Sequence, residues 1–330
     1  MDTTRIFESE TTKYLASEAD GITLKTRLWL TIYHSVLFNL SCVSGFLLTV
    51  CGIFRMRCSP KSIEGQVVLV TGAANGIGRE ICLKLCREKC KIIVADINFH
   101  EAEKTAEDIR NIGGEARAYK LDVADFEAVK QLREEILKDF GYVDILINNA
   151  GLLAILTLSN ATPEQIDRVV TVNVTSVVKI TKLFLEDMVK MKKGHIVAIS
   201  AAFGLSPISK TVYGLTMFAL RGFMTCLNQE ILINGWEDGI KTTCAFPFYT
   251  STRKELTDYT ESLNLNLTGK MFLNTPSDVA TSVVNGIKWE RRNISIPGGF
   301  YFLMNFMGIF TPNIIRRFYR MVFGQRKNFP

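Results

Sequence analysis

From Gly65 to about Pro297 the chain alternates between short apolar, β-branched runs and longer helical stretches. The runs are Val67–Thr71, Lys91–Asp96, Val143–Ile147, His195–Ser200 and Thr242–Phe246. Each is nearly continuous in apolar side chains, so each must be covered on both faces. Strands of that kind belong to a parallel sheet with helices on either side. The expected fold is α/β, a doubly wound parallel sheet of Rossmann type forming a single domain over 61–297. A length of 330 residues suits one such domain with additions at its ends.

The additions differ in kind from the body. Residues 1–27 form a polar segment, of which 1–22 show no apolar periodicity, and from Leu28 to Phe54 there is no Asp, Glu, Lys or Arg. A membrane-spanning helix needs about 20 such residues. Trp29 and Tyr33 lie near the start of the run, where interfacial aromatics are favoured. The segment 28–54 is read as a membrane anchor; a buried core helix and a bent segment dipping into one leaflet are the alternatives. At the other end, 298–330 is aromatic and Met-rich and then basic. From Glu290 to Pro330 there are seven basic residues against one acid, which equals the whole chain's net +6. A neutral body with a basic, aromatic tail points to an anionic membrane surface. A nucleic-acid binder would carry its basic stripe on the folded body, and none is visible there. The tail is read as membrane-interfacial, with a helix packed on the body as the alternative.

Cysteine and histidine usage does not suggest a metal site. The eight Cys contain no C-x-x-C pair, and the three His are scattered. Cys82, Cys86 and Cys90 recur every four residues along one helix side, as small buried hydrophobes do.

The first strand runs into Gly72-Ala73-Ala74-Asn75-Gly76-Ile77-Gly78, and a helical pattern follows at once. Glycines in that setting let the backbone approach a pyrophosphate, which the free N–H groups of the helix start can bind. Asp96 ends the second strand, 18 residues after Gly78. A carboxylate there accepts hydrogen bonds from ribose hydroxyls and repels a 2′-phosphate, which favours NAD(H) over NADP(H).

The spacing T-G-x-x-x-G-x-G, together with Leu121-Asp122-Val123, Asn148-Asn149-Ala150-Gly151 and Val172-Asn173-Val174, resembles the short-chain dehydrogenase/reductase family over about 64–297. The resemblance implies that Asp122 and Val123 meet the adenine, that Asn149, Ala150 and Gly151 line the nicotinamide side, and that Asn173 holds a proton-relay water. Beyond the sixth strand it implies a cofactor-contacting turn at Pro247-Phe248, with Thr252 near the carboxamide. With its apolar head and basic tail, the chain is most similar to the membrane- and lipid-droplet-associated retinol and 17β-hydroxysteroid dehydrogenases. That similarity implies NAD, a lipophilic alcohol or carbonyl of retinoid or steroid class, and an endoplasmic reticulum or lipid-droplet address with a cytosolic domain. It also implies a homodimer built on long helices near 163–190 and 212–233.

The departures from the family fall on its chemistry. The family's proton donor and acceptor is a Tyr, here Tyr213, whose pKa is lowered by a Lys four residues on. Met217 occupies that Lys position. Lys210 precedes Tyr213 by three residues, and Arg221 lies two turns further along. The family Ser falls on Ala201 when the strand is the anchor, and on Ser200 when residues are counted back from Tyr213. On the strand reading Ser200 faces away from the substrate, because adjacent strand side chains point to opposite faces. Phe248 replaces a Gly and is expected to restrict the turn and crowd the cofactor. Two readings follow: an NAD-dependent oxidoreductase, or a catalytically impaired dinucleotide-binding membrane protein that acts through contacts.

Overall fold

The computed structural model describes residues 59–154, 156–205, 211–252, 273–299 and 301, together with Trp29, Ile32, Tyr33, Ser35, Val36, Leu37 and Leu40. The chain divides into two compact units, Met1–Ser59 and Pro60–Pro330. In the first unit all the described residues are exposed, and all but Ser59 are helical. No helix among the described residues is long and apolar enough to cross a membrane. Most of the expected anchor 28–54 lies outside the described residues. So do Lys210, residues 253–272 and the tail beyond Tyr301.

The second unit holds a seven-stranded sheet: β1 (Val67–Thr71), β2 (Lys91–Asp96), β3 (Glu115–Lys120), β4 (Ile145–Asn148), β5 (Gly194–Ile199), β6 (Ile240–Pro247) and β7 (Asn293–Ile296). All neighbours are parallel in the order β3-β2-β1-β4-β5-β6-β7. The order reverses between β1 and β4, where open α/β sheets bind ligands beyond their strand ends. The α-helices among the described residues of this unit are α1 (Gly76–Arg87), α2 (Phe99–Asn111), α3 (Phe126–Asp139), α4 (Pro163–Val170), α5 (Ser176–Met191), α6 (Thr211–Ile233) and α7 (Pro276–Lys288).

Apolar runs in the strands feed two cores. Leu69, Ile93, Leu146, Ile196 and Phe246 face α3, α5 and α6. Val68, Val70, Ile92, Val94, Ile145, Ile147 and Ala245 face α1, α2 and α7. Cys82, Cys86 and Cys90 are buried in this second core, but only Cys82 and Cys86 share a helix, because α1 ends at Arg87. The helix expected near 163–190 runs without a gap from Pro163 to Met191, with one irregularity. Between α4 and α5 lies a π-turn, Thr171–Thr175, whose widened ring accommodates an extra residue without ending the helix. Arg133 on α3 grips Asp187 on α5 through two bonds of 2.6 and 2.5 Å, fixing that layer under the sheet.

At the N-terminal edge of the sheet sits a buried polar chain. His195 is 1% exposed. Its Nδ1 lies 3.2 Å from the Lys61 ammonium, and its Nε2 lies 2.8 Å from Thr243 Oγ1. Thr243 Oγ1 donates to the Arg291 carbonyl at 2.8 Å. Because an ammonium can only donate, Nδ1 accepts and Nε2 carries the proton. Burial, and then the charges of Lys61 and Lys241, hold the His195 pKa well below its ordinary value.

Candidate functional site

A cavity of about 1020 Å³ runs along the C-terminal ends of the strands. Of the expected cofactor-binding and catalytic positions, all line this cavity except Gly78. One end is built from main chain. Gly72 has φ +65°, and a Cβ there would meet Ala150 Cα at 2.7 Å. A Cβ on Gly78 would lie 2.2 Å from the Gly72 carbonyl oxygen and 2.6 Å from Asn149 Nδ2. Asn149 Nδ2 donates to the carbonyls of Thr71 (3.0 Å) and Gly72 (2.8 Å), which holds the turn against β4. Thr71 Oγ1 accepts from the Asn149 and Ala150 amides at 3.1 and 3.2 Å.

Helices α2, α3, α4 and α7 begin with side-chain caps from Asn98, Asp125, Thr162 and Thr275. Asn75, before α1, gives no such bond, so the first amides of α1 face the cavity uncapped by a side chain. Asp96 is anchored on both oxygens, Oδ2 by the Ala74 amide (3.0 Å) and Oδ1 by the Asn98 amide (2.9 Å). Each oxygen keeps a lone pair for another donor. Asp122 Oδ1 accepts from the Ala124 amide at 2.9 Å, shaping the loop that carries Val123. Thr252 stands across the turn; a Cβ on Gly76 would meet its Cβ at 3.3 Å. An anion cradle that side chains would fill, beside a preset carboxylate, fits a nicotinamide dinucleotide.

The other end is built from side chains. Tyr213 lies in the first turn of α6 and is half-buried; burial pushes its phenol up to about 12. Met217, one turn on, is 4% exposed and packs with Leu220, Met224 and Leu227 in the core. The Ser200 hydroxyl donates to the Met217 carbonyl at 3.1 Å and lies 3.8 Å from Met217 Sδ. Ser200 therefore borders the cavity while its proton is engaged by the helix. Ala201 lines the wall in extended conformation (φ −149°, ψ 163°). Arg221 donates to the Gly204 carbonyl (3.4 Å) and sits over the Tyr301 ring, and it is not among the described lining residues.

Asn173, in the π-turn, is 2% exposed. Its Oδ1 accepts from the Leu152 amide (2.7 Å), and its Nδ2 donates to the Leu152 carbonyl (2.9 Å) and to Thr216 Oγ1 (3.1 Å). Thr216 Oγ1 in turn donates to the Tyr213 carbonyl (2.8 Å). The loop after β4 is thereby tied to the turn that carries Tyr213. Sequence reading missed Thr216; its signal was a hydroxyl three residues after Tyr213, on the helix's buried side. It also missed an aromatic group. Phe203 meets Tyr213 edge-on at 6.3 Å, Phe248 at 6.0 Å and Tyr249 at 5.3 Å, and Phe248 meets Tyr249 at 5.0 Å. Phe248 adopts no left-handed backbone. Its amide donates to the Ile296 carbonyl at 2.9 Å. Asn148, beside these groups, keeps a buried Oδ1 without a partner.

Residues 66–264 match the sequence profile described as "short chain dehydrogenase". Human estradiol 17-beta-dehydrogenase 11 is 32% identical over 244 residues, covering 74% of this chain and 78% of that protein. Human 17-beta-hydroxysteroid dehydrogenase 13 is 30% identical over 238 residues, covering 72% and 76%. A crystal structure of a metagenomic short-chain oxidoreductase in complex with NADP shares the fold. Its TM-score is 0.58 at 24% identity, covering 71% of this chain and 96% of that one.

Proposed function

Because the chain belongs to the short-chain dehydrogenase family, we propose that it binds NAD(H) and a lipophilic alcohol or carbonyl of steroid or retinoid class as a catalytically impaired oxidoreductase. One observation carries the impairment: Tyr213 has a phenol pushed up to about 12, with Met217 where a cation would lower it. The α1 amides and the Gly72–Gly78 turn hold the pyrophosphate, and Asp96 takes the adenosine ribose and disfavours a 2′-phosphate. Asn149, Ala150, Gly151, Pro247 and Thr252 border the nicotinamide half. NAD⁺, when bound, supplies the hydride acceptor. Tyr213 Oη must receive the alcohol proton, and at pH 7 a phenol of pKa about 12 is ionised to roughly one part in 10⁵. Asn173 and Thr216 position the Tyr213 turn. Ser200 cannot donate freely to a substrate oxygen while bonded to the Met217 carbonyl.

The test is turnover of the purified membrane protein with NAD⁺ and a panel of retinols and steroids. Alcohol oxidation should be slow at pH 7 and rise about tenfold per pH unit between pH 8 and 10, following the phenolate fraction. A Met217→Lys, Ala201→Ser double variant should gain about 10²–10⁴-fold at pH 7, the usual worth of general acid–base catalysis. Family-like turnover by the wild type at pH 7, indifferent to Tyr213→Phe, would overturn the reading.

The same reading assigns 28–54 and 298–330 to an endoplasmic reticulum or lipid-droplet surface, with 61–297 as the cytosolic domain. It is supported by the charge-free run and the basic tail. It is supported too by the helical, exposed Trp29, Ile32, Tyr33, Val36, Leu37 and Leu40, which repeat at three- and four-residue intervals. Residues 61–297 alone should be recovered in solution; retention on membranes after a high-salt wash contradicts the assignment. A homodimer through α5 and α6 is supported by the exposed Val178, Leu215 and Phe218.

A further inference from the structure

A dinucleotide with its pyrophosphate at the start of α1 and its adenosine ribose at Asp96 has its first half on the β2 side of β1. Its second half must then extend across β4 toward the ends of β5 and β6. There the same cavity is walled by Ser200, Phe203, Tyr213, Met217, Phe248 and Tyr249. The two redox forms of the cofactor differ in one respect that matters here. The oxidised nicotinamide ring carries a positive charge, and the reduced ring is neutral.

The wall suits the charged form on three counts. Its aromatic rings form a contiguous group with centroids 5.0–6.3 Å apart, and ring faces attract cations. Met217 contributes a polarisable thioether and no charge. Of the charged residues described around the cavity, Asp96 and Asp122 belong to the adenosine end and Asp167 and Arg168 are one acid beside one base, so no net positive charge and no lysine is found among the described lining. We infer that this end of the cavity is a site for a flat organic cation, and that the protein holds oxidised NAD⁺ more tightly than NADH. The inference rests on the dinucleotide reading and adds to it the redox state of the preferred ligand. A fivefold preference for the oxidised form lowers the midpoint potential of the bound couple by ~20 mV, since two electrons are transferred. Bound cofactor would then reduce a carbonyl more readily than it would oxidise an alcohol.

Calorimetric titration of the full-length protein with NAD⁺ and with NADH, at neutral pH without substrate, tests this apart from turnover. NAD⁺ should bind about fivefold more tightly than NADH, the scale of a partly desolvated cation–aromatic contact. Met217→Lys should move the ratio about tenfold toward NADH, because a unit charge a few ångströms away repels only the oxidised ring. Met217→Leu, neutral and of similar volume, should keep the wild-type ratio. Phe248→Leu, which removes a ring without adding charge, should bring the ratio toward unity and gives a second reading should the lysine variant not fold. NADH bound as tightly as NAD⁺ by the wild type, or a ratio unmoved in folded Met217→Lys, overturns the inference and leaves dinucleotide binding standing. If neither form binds to protein that melts cooperatively, the dinucleotide reading itself fails and the inference with it.

Discussion

The two ends of the cavity are made of different material. The end at α1 works through backbone: Gly72 and Gly78 bring main chain within contact distance, and Asn149 locks it there. The end at α6 works through the groups that side chains happen to carry: a phenol at Tyr213, a thioether at Met217, a methyl at Ala201. A backbone site resists change because a wrong residue displaces the chain around it. A side-chain site can lose its chemistry while the fold is unaffected or improved. Met217 illustrates the second case, since a buried lysine would need a partner or a lowered pKa, and a methionine buries without either. The fold therefore preserves a binding site more strictly than it preserves a catalyst.

The sharpest way to break this contrast is Gly78→Val. Its branched side chain would collide with the Gly72 carbonyl and Asn149. NADH binding should vanish in a fluorescence titration, and stability should fall by about 1–3 kcal/mol, the cost of overpacking. Normal binding by this variant would show that main chain is not the recognition element. Next in size is Asn173→Leu, which removes three hydrogen bonds and leaves the Leu152 amide and carbonyl without their partner. Denaturant unfolding should show a loss of about 1–3 kcal/mol. A change below that would mean the Tyr213 turn is held by packing alone. Asp96→Ala should act on selectivity more than on the fold. Wild type should prefer NADH to NADPH, and the variant should narrow that preference by about tenfold, or ~1.4 kcal/mol. Equal affinities in the wild type would remove Asp96 from its role.

The smallest effect concerns a group remote from both ends. His195 is buried and neutral, with its pKa depressed, so the unfolded chain binds its proton first as pH falls. Its contribution to stability is complete above about pH 6.5 and is lost as pH falls through the depressed native value, by at most ~1.4 kcal/mol per unit. His195→Asn should flatten that acid limb of a pH–stability curve without altering cofactor affinity. An unchanged limb would place the acid sensitivity elsewhere.

The binding end was the more legible in sequence, for the same physical reason. β1, the glycine turn, Asp96 and the Asn148–Gly151 run are local patterns, and a local pattern sets local backbone. β1 and β2 fall where the apolar runs put them, while β4 begins at Ile145 rather than Val143. The edge strand β7, only four residues long, carries no apolar run to betray it. At the other end the loss of charge at Met217 could be read directly from the letters. The bond from Ser200 to the Met217 carbonyl, the link from Asn173 to Thr216 and the gathering of Phe203 with Phe248 and Tyr249 could not. Each joins residues 17 to 46 positions apart through tertiary packing that no local period encodes.

The methionine that removes the charge also leaves a reporter in the wall. Met217 is one of ten methionines, and its buried side chain lies in a cavity wall that includes four aromatic rings. A methyl carbon so placed feels ring currents, and the arrival of another planar ring in the cavity shifts its resonance. In protein labelled with ¹³C-methyl methionine, one signal should disappear in Met217→Leu, and in the wild type that signal should move as NAD⁺ is added. Occupancy of the site becomes visible by spectroscopy without any need for turnover.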